Sequence, residues 1–242
     1  MSLRYLSARL AQQIDDELMS AAGAFSLDQL MELAGLACAQ TLAKVYGAEK
    51  YNRVLVCCGP GNQGGDGLVA ARHLCKSPAL FGYKPTIYMP KPGSKDIYQR
   101  LHTQCKNMSI PTLGEGEESL RTALKSSDVI LDAIFGFSFK GPIRAPFDSA
   151  LPMLSASGLP IVSVDIPSGW DVEASNDAGF GLNPDVLVSL TAPKEGVRTF
   201  RGQHFLGGRF VPRTLEEKFG LNLPIYPGYE QIVDITEATQ KL

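Results

Sequence analysis

The sequence contains no run of about 18 apolar residues, so no transmembrane helix is expected, and no apolar signal segment opens it. Net charge is also nearly absent, with 23 Lys and Arg against 25 Asp and Glu. That balance gives no electrostatic basis for nucleic acid or an anionic membrane as a partner. Histidine is scarce. His73, His102 and His204 stand in isolation and Gly-x-Ser-x-Gly is missing, which disfavours Ser-His-Asp hydrolase chemistry. The five cysteines, Cys38, Cys57, Cys58, Cys75 and Cys105, are odd in number and form no C-x-x-C pair. Neither a disulfide framework nor a zinc site is indicated, and a reducing, cytoplasmic location is the expectation. Arg4 and Arg9 precede any acid, as in an organelle-targeting segment, which leaves room for a minor mitochondrial pool. Asp15, Asp16 and Glu17 follow at once, however, so a surface helix is the preferred reading.

What is present is a 242-residue chain, 44% hydrophobic, enough to bury one α/β core without covalent staples. Its 24 glycines and 16 prolines must then mark special turns. Leu6, Leu10, Ile14 and Leu18 recur at helical spacing. Ser26 with Gln29 is a capping-box pattern ahead of a second apolar stripe that runs to Val45. After Asn52 the pattern changes. Short β-branched runs at 53–58, 85–89, 129–134, 160–166 and 186–191 alternate with helical segments at 67–76, 95–106, 120–125 and 146–154. This predicts one doubly wound α/β domain over 1–242, with a mostly parallel sheet. Residues 1–50 form a helical extension packed on or beside the core. A last edge strand is expected at 207–212 and a short helix at 214–219. The Pro- and Tyr-rich tail around Tyr226 reads as a surface loop.

Three turns after strands carry the chemistry. Residues 59–67 begin as G-x-G-x-x-G between a strand and a helix, where backbone N–H groups can approach an anion. The ribose-binding acid of a dinucleotide fold is missing. Tyr88-Met89-Pro90-Lys91 occupies its place, and no carboxylate follows until Asp96. No Walker A lysine is present either, so phosphate or nucleotide binding outside the usual hydride-transfer pose is indicated. The second turn follows Asp132, an acid inside an apolar strand, and carries Lys140. The third is Asp165-Ile166-Pro167-Ser168-Gly169-Trp170. Loops at the carboxyl ends of parallel strands share one edge, which lets Asn62, Asp132 and Ser168 converge as an all-oxygen set suited to a hard cation. Asp165 is left for general acid–base work.

These segments, with Leu68 to Leu74, Thr191-Ala192-Pro193-Lys194, Gln29 to Gly35 and Gly207 to Pro212, resemble the NAD(P)H-hydrate epimerase family, the YjeF N-terminal domain, over nearly the whole chain. The resemblance implies a three-layer αβα Rossmann-like sandwich, usually homodimeric. Its members interconvert the R and S epimers of NADHX or NADPHX, so that a separate ATP- or ADP-dependent dehydratase can restore the cofactor. It further implies a potassium ion held by Asn62, Asp132 and Ser168. Substrate contacts would come from Gly61, Asn62, Gln63, Gly64, Gly65 and Asp66, and from Gly136, Phe137, Ser138, Phe139, Lys140, Gly141 and Pro142, together with Asp165. Asp165 and Lys140 would be the catalytic pair. Gln63 departs from the family, where Asn is usual. The alternative reading is a non-catalytic scaffold of the same fold, which has no physical need for Asn62, Asp132, Asp165 and Ser168 together.

Overall fold

The first helix, α1 (Ala8–Leu18), starts where the Ser7 hydroxyl accepts the Leu10 N–H, and it buries Ala11, Ile14 and Leu18. The second, α2 (Leu27–Val45), opens on a complete capping box between Ser26 and Gln29. The computed structural model describes residues 2–76, 80–176 and 179–240. Beyond α2 the chain alternates as β1 (Arg53–Cys58), α3 (Asn62–Leu74), β2 (Lys84–Tyr88), α4 (Asp96–Asn107), β3 (Thr112–Leu113), α5 (Glu117–Lys125), β4 (Val129–Ala133), α6 (Phe147–Ser155) and β5 (Ile161–Val164). It continues through β6 (Val186–Leu190), β7 (Gln203–Gly207), α7 (Arg213–Phe219), β8 (Ile232–Asp234) and α8 (Thr236–Gln240).

The eight strands form one sheet in the order β3-β2-β1-β4-β5-β6-β7-β8, parallel except for β8. All of β4 and all but the first residue of β1 are buried, as expected for central strands covered on both faces. On one face, Ala37, Cys38 and Leu42 of α2 share a core with Leu68, Val69 and Leu74 of α3 and Leu101 of α4. On the other, Leu120 of α5 and Phe147, Leu151 and Leu154 of α6 pack over Leu55 and Ile130. The fold is the expected α/β sandwich. Helix α2 is a full member of its outer layer, whereas α1 joins a smaller cluster with Leu215 and Leu221. Strand order reverses between β1 and β4, and in such sheets the crevice outside the strand ends at that point receives the ligand.

Three boundaries differ from the sequence expectation. The segment 207–212 is not the edge strand. The last parallel strand, β7, ends at Gly207, where Gly208 turns the chain at φ +87° and Pro212 caps α7. The edge on that side is β8, three residues long, and the opposite edge is β3, of two; both are too short to stand out as a pattern. The third difference is that α3 begins at Asn62, inside the glycine-rich segment read as a loop. Gly64 permits this, because a Cβ there would lie 1.8 Å from the Gly59 carbonyl oxygen. The first turn of α3 therefore lies directly on the chain leaving β1. Gly64→Ala is expected to destabilise the fold by about 1–3 kcal/mol through this clash. A urea unfolding midpoint equal to that of the parent would show that the turn can relax.

Candidate functional site

A cavity of about 530 Å³ opens at the switch point. Its lining includes Pro60 to Gln63 and Asp66 after β1, Ile134 to Phe139 after β4, Asp165 after β5 and Leu190, Thr191 and Lys194 after β6. Leu27, Leu30, Met31 and Ala34 of α2 supply an apolar wall, and α1 contributes Gln12 and Asp15. Gly61 caps α3 without a side chain, so the first-turn N–H groups are left for an anionic ligand. Gln63 uses its longer arm. Its amide nitrogen donates to the carbonyl oxygens of Phe135 at 2.6 Å and Val164 at 2.8 Å, tying the first turn of α3 to the exits of β4 and β5.

Below the cavity lies Asp132, with 0% exposure. Its carboxylate accepts from the Ser163 hydroxyl at 2.7 Å, the Ser168 N–H at 2.9 Å, the Ser168 hydroxyl at 2.5 Å and the Ile134 N–H at 3.3 Å. Burial pushes its pKa up, and these hydrogen bonds pull against that shift. No cationic side chain pairs with it among the described residues. The Ser168 hydroxyl also accepts from the Phe135 N–H at 3.0 Å. The Asn62 amide oxygen accepts from the Tyr98 hydroxyl of α4 at 2.6 Å and keeps a second lone pair. An all-oxygen donor set with one unpaired buried carboxylate fits a hard monovalent cation and does not suit zinc.

Asp165 sits at φ +59°, a left-handed conformation that costs a non-glycine residue of order 1–3 kcal/mol. The strain is held by its own N–H donating to Val188 O at 2.7 Å and by its Oδ1 accepting from the Leu190 N–H at 3.1 Å and Lys194 Nζ at 2.5 Å. Lys194 also donates to Leu190 O at 2.8 Å and lies 5.5 Å from the centre of the Phe137 ring. The two side chains are only 4% and 5% exposed, which makes this a buried ion pair. Two more acids face the same space. Asp15 is raised to about 6, first by burial and then by Asp165, against the pull of Lys194. Asp66 is driven well above the ordinary carboxylate range by burial and by the charges of Asp165 and Asp15.

The structure thus brings Gly61, Asn62, Gln63, Asp66, Gly136, Phe137, Ser138, Phe139 and Asp165 to one cavity. Gly64 and Gly65 are buried in α3 behind it, and Asp132 and Ser168 lie beneath it. Lys140 is exposed, and neither it nor Gly141 and Pro142 lines the cavity. Sequence reasoning did not assign Lys194, Tyr98 or Asp15 to the site. Lys194 had the clearest signal, a lone lysine directly after the apolar strand β6, while nothing in the spacing of α1 marks Asp15 as inward-facing. Truncating one member of the ion pair strands the other. Lys194→Met is expected to cost about 3–5 kcal/mol, and the double change Asp165→Asn with Lys194→Met to recover much of that. Equal urea midpoints for the parent and Lys194→Met would refute a structural role for the pair.

The profile of the family described as YjeF-related protein N-terminus matches residues 27–196. A Cryptococcus neoformans protein named NAD(P)H-hydrate epimerase is 57% identical over 250 residues, covering 97% of this chain and 98% of its own. The Schizosaccharomyces pombe protein of that name is 49% identical over 240 residues, covering 98% and 97%. The crystal structure of the yeast protein YNL200c superposes with a TM-score of 0.90 at 42% identity, covering 96% of this chain and all of that one. The chain belongs to the YjeF-related N-terminal family.

Proposed function

We propose that this chain is an NAD(P)H-hydrate epimerase, an isomerase that interconverts the R and S forms of hydrated NADH and NADPH. The observation that carries this reading is one cavity holding both an uncapped helix N-terminus and a buried carboxylate, Asp165. The first suits the diphosphate of a nucleotide, and the second suits a ring that becomes cationic. Relatives about half identical over nearly their full length carry that name.

The hydrated ring bears its hydroxyl on a carbon bonded to nitrogen. When the C–O bond breaks, the nitrogen lone pair stabilises the resulting cation, and water can return to either face. Asp165 stabilises that cation electrostatically, held in place by Lys194 and the Leu190 N–H. Phe135 and Phe139 stack at 4.3 Å and, with Phe137, give the ring a dry wall. Lys140, on the exposed loop, meets phosphate charge rather than the ring. A potassium ion held by Asn62, Asp132 and Ser168 would, when bound, offset the buried charge of Asp132 and fix the loop exits. The functional unit is a homodimer in the cytoplasm, and its product passes to a separate ATP- or ADP-dependent dehydratase.

Chromatography of an epimer-enriched NADHX sample is expected to show accelerated equilibration when the protein is added. In ¹⁸O-labelled water, one label should enter per epimerisation. Faster equilibration with the oxygen retained would replace hydroxide loss by ring opening, and an unchanged epimer ratio would favour the scaffold reading. Exchanging potassium for tetramethylammonium is expected to lower the rate. An equal rate in both salts would remove the cation from the proposal.

A further inference from the structure

Epimerisation by loss and return of water requires a proton at the departing oxygen and a base at the arriving one. The two events take place on opposite faces of a flat ring cation. A carboxylate tethered on one side of the ring does not reach both faces, and Asp165 is tethered. Its backbone is strained, and its Oδ1 is fixed by Lys194 Nζ and the Leu190 N–H. A second proton-carrying group is needed in the same cavity, and Lys140 does not line it.

Asp66 has the required features. It lies on α3 one helical turn after Asn62, so the two share a helix face, and both line the cavity. It is 9% exposed, and no donor of the protein hydrogen-bonds its carboxyl among the described residues. Asp132, by contrast, accepts four hydrogen bonds. A buried carboxyl without a donor is a group left for a ligand. We propose that Asp66 is a catalytic acid of the epimerisation, donating its proton to the departing hydroxyl, while Asp165 accepts a proton from the returning water. This rests on the epimerase reading above.

The balance is simple. The C–O bond breaks with its electron pair on oxygen, the Asp66 proton joins that oxygen, and water leaves. A second water adds through oxygen to the other face and gives a proton to Asp165. Asp66 ends ionised and Asp165 protonated. Solvent in the cavity resets them, or the reverse epimerisation does so directly.

The groups facing Asp66 set the direction of its pH dependence. They are Asp15 of α1, Cys38 of α2, Cys58 of β1, Asp165 and Lys194, with the Tyr98 hydroxyl of α4 committed to Asn62. Burial keeps both thiols neutral, and only Lys194 favours the ionised form. Burial and the neighbouring acids thus favour the protonated form of Asp66, and raising the pH removes that proton, so the rate falls on the alkaline side.

The test is the epimerisation rate of the full chain against pH for the parent, Asp66→Asn, Asp66→Glu and Asp15→Asn. Melting temperature and NADPH fluorescence binding serve as folding controls. The parent should lose kcat on the alkaline side. Asp66→Asn should lower kcat about 100-fold or more, shift KM little and remove the alkaline limb. Asp66→Glu should keep the limb, and Asp15→Asn should displace it without abolishing it. Should Asp66→Asn fail to fold, the parent and the Glu variant still decide: a flat parent profile, or a Glu variant without the limb, overturns the proposal. It is equally overturned if a folded Asp66→Asn keeps the parent rate or limb, or if Asp15→Asn alone removes the limb. A parent that does not accelerate epimerisation sinks the epimerase reading itself, whereas an active parent with an unaffected Asp66→Asn sinks only the role of Asp66.

Discussion

The constraint on which the site depends is the buried carboxylate of Asp132, which no side-chain cation reaches among the described residues. A charge in such a position must be met by hydrogen bonds or neutralised. Here the bonds come from β5, through Ser163, and from the turn after β5, through Ser168. The electrostatic requirement of one residue at the end of β4 therefore dictates where the next loop lies. Ser168 then holds the Phe135 N–H, and Gln63 holds the Phe135 carbonyl from the other side. Three chain segments meet at one residue, Phe135, at the base of the cavity.

On this base the molecule keeps several carboxyl groups in one small volume and differentiates them by surroundings alone. Asp132 is met by hydrogen bonds and Asp165 by an ammonium, while Asp66 has no hydrogen-bond donor among the described residues and faces the cavity. Like charges confined together push their protonation equilibria apart, and acid and base roles are assigned from identical side chains in this way. The near-zero net charge of the chain conceals this local concentration of acid.

Much of this was legible in the sequence because the informative residues are local exceptions. Acids closing apolar runs at Asp132 and Asp165 and the glycine cluster from Gly59 each break a simple pattern, and such breaks mark sites. The sheet core was equally readable, since β-branched runs between helical stripes leave few alternatives. What stayed hidden were pairings between distant segments. Lys194 meets Asp165 across 29 positions, and Asp15 faces the cavity only because α1 folds back over it. The helical start at Asn62 was hidden for a different reason. Glycines ordinarily weaken a helix, and their use here follows from close approaches that the sequence does not show: Gly64 to Gly59, Gly65 to Met31 and Gly67 to Ala133. The edge strand β8 is stabilised by its partner β7 more than by its own three residues.

The first residues of the chain do more than cover the core. Leu6 donates its N–H to Pro193 O at 2.8 Å and accepts from Glu195 N at 2.9 Å, which places a strand-like bridge on either side of Lys194. The segment that carries Lys194, a cavity-lining residue, is thus pinned by the start of the chain. On the ribosome, the N-terminal segment must wait through most of synthesis for its partner. The acid-lined pocket and its ion pair come into existence only as the last parallel strands arrive. The ion pair that holds Asp165 therefore forms late in synthesis, after Lys194 has been made.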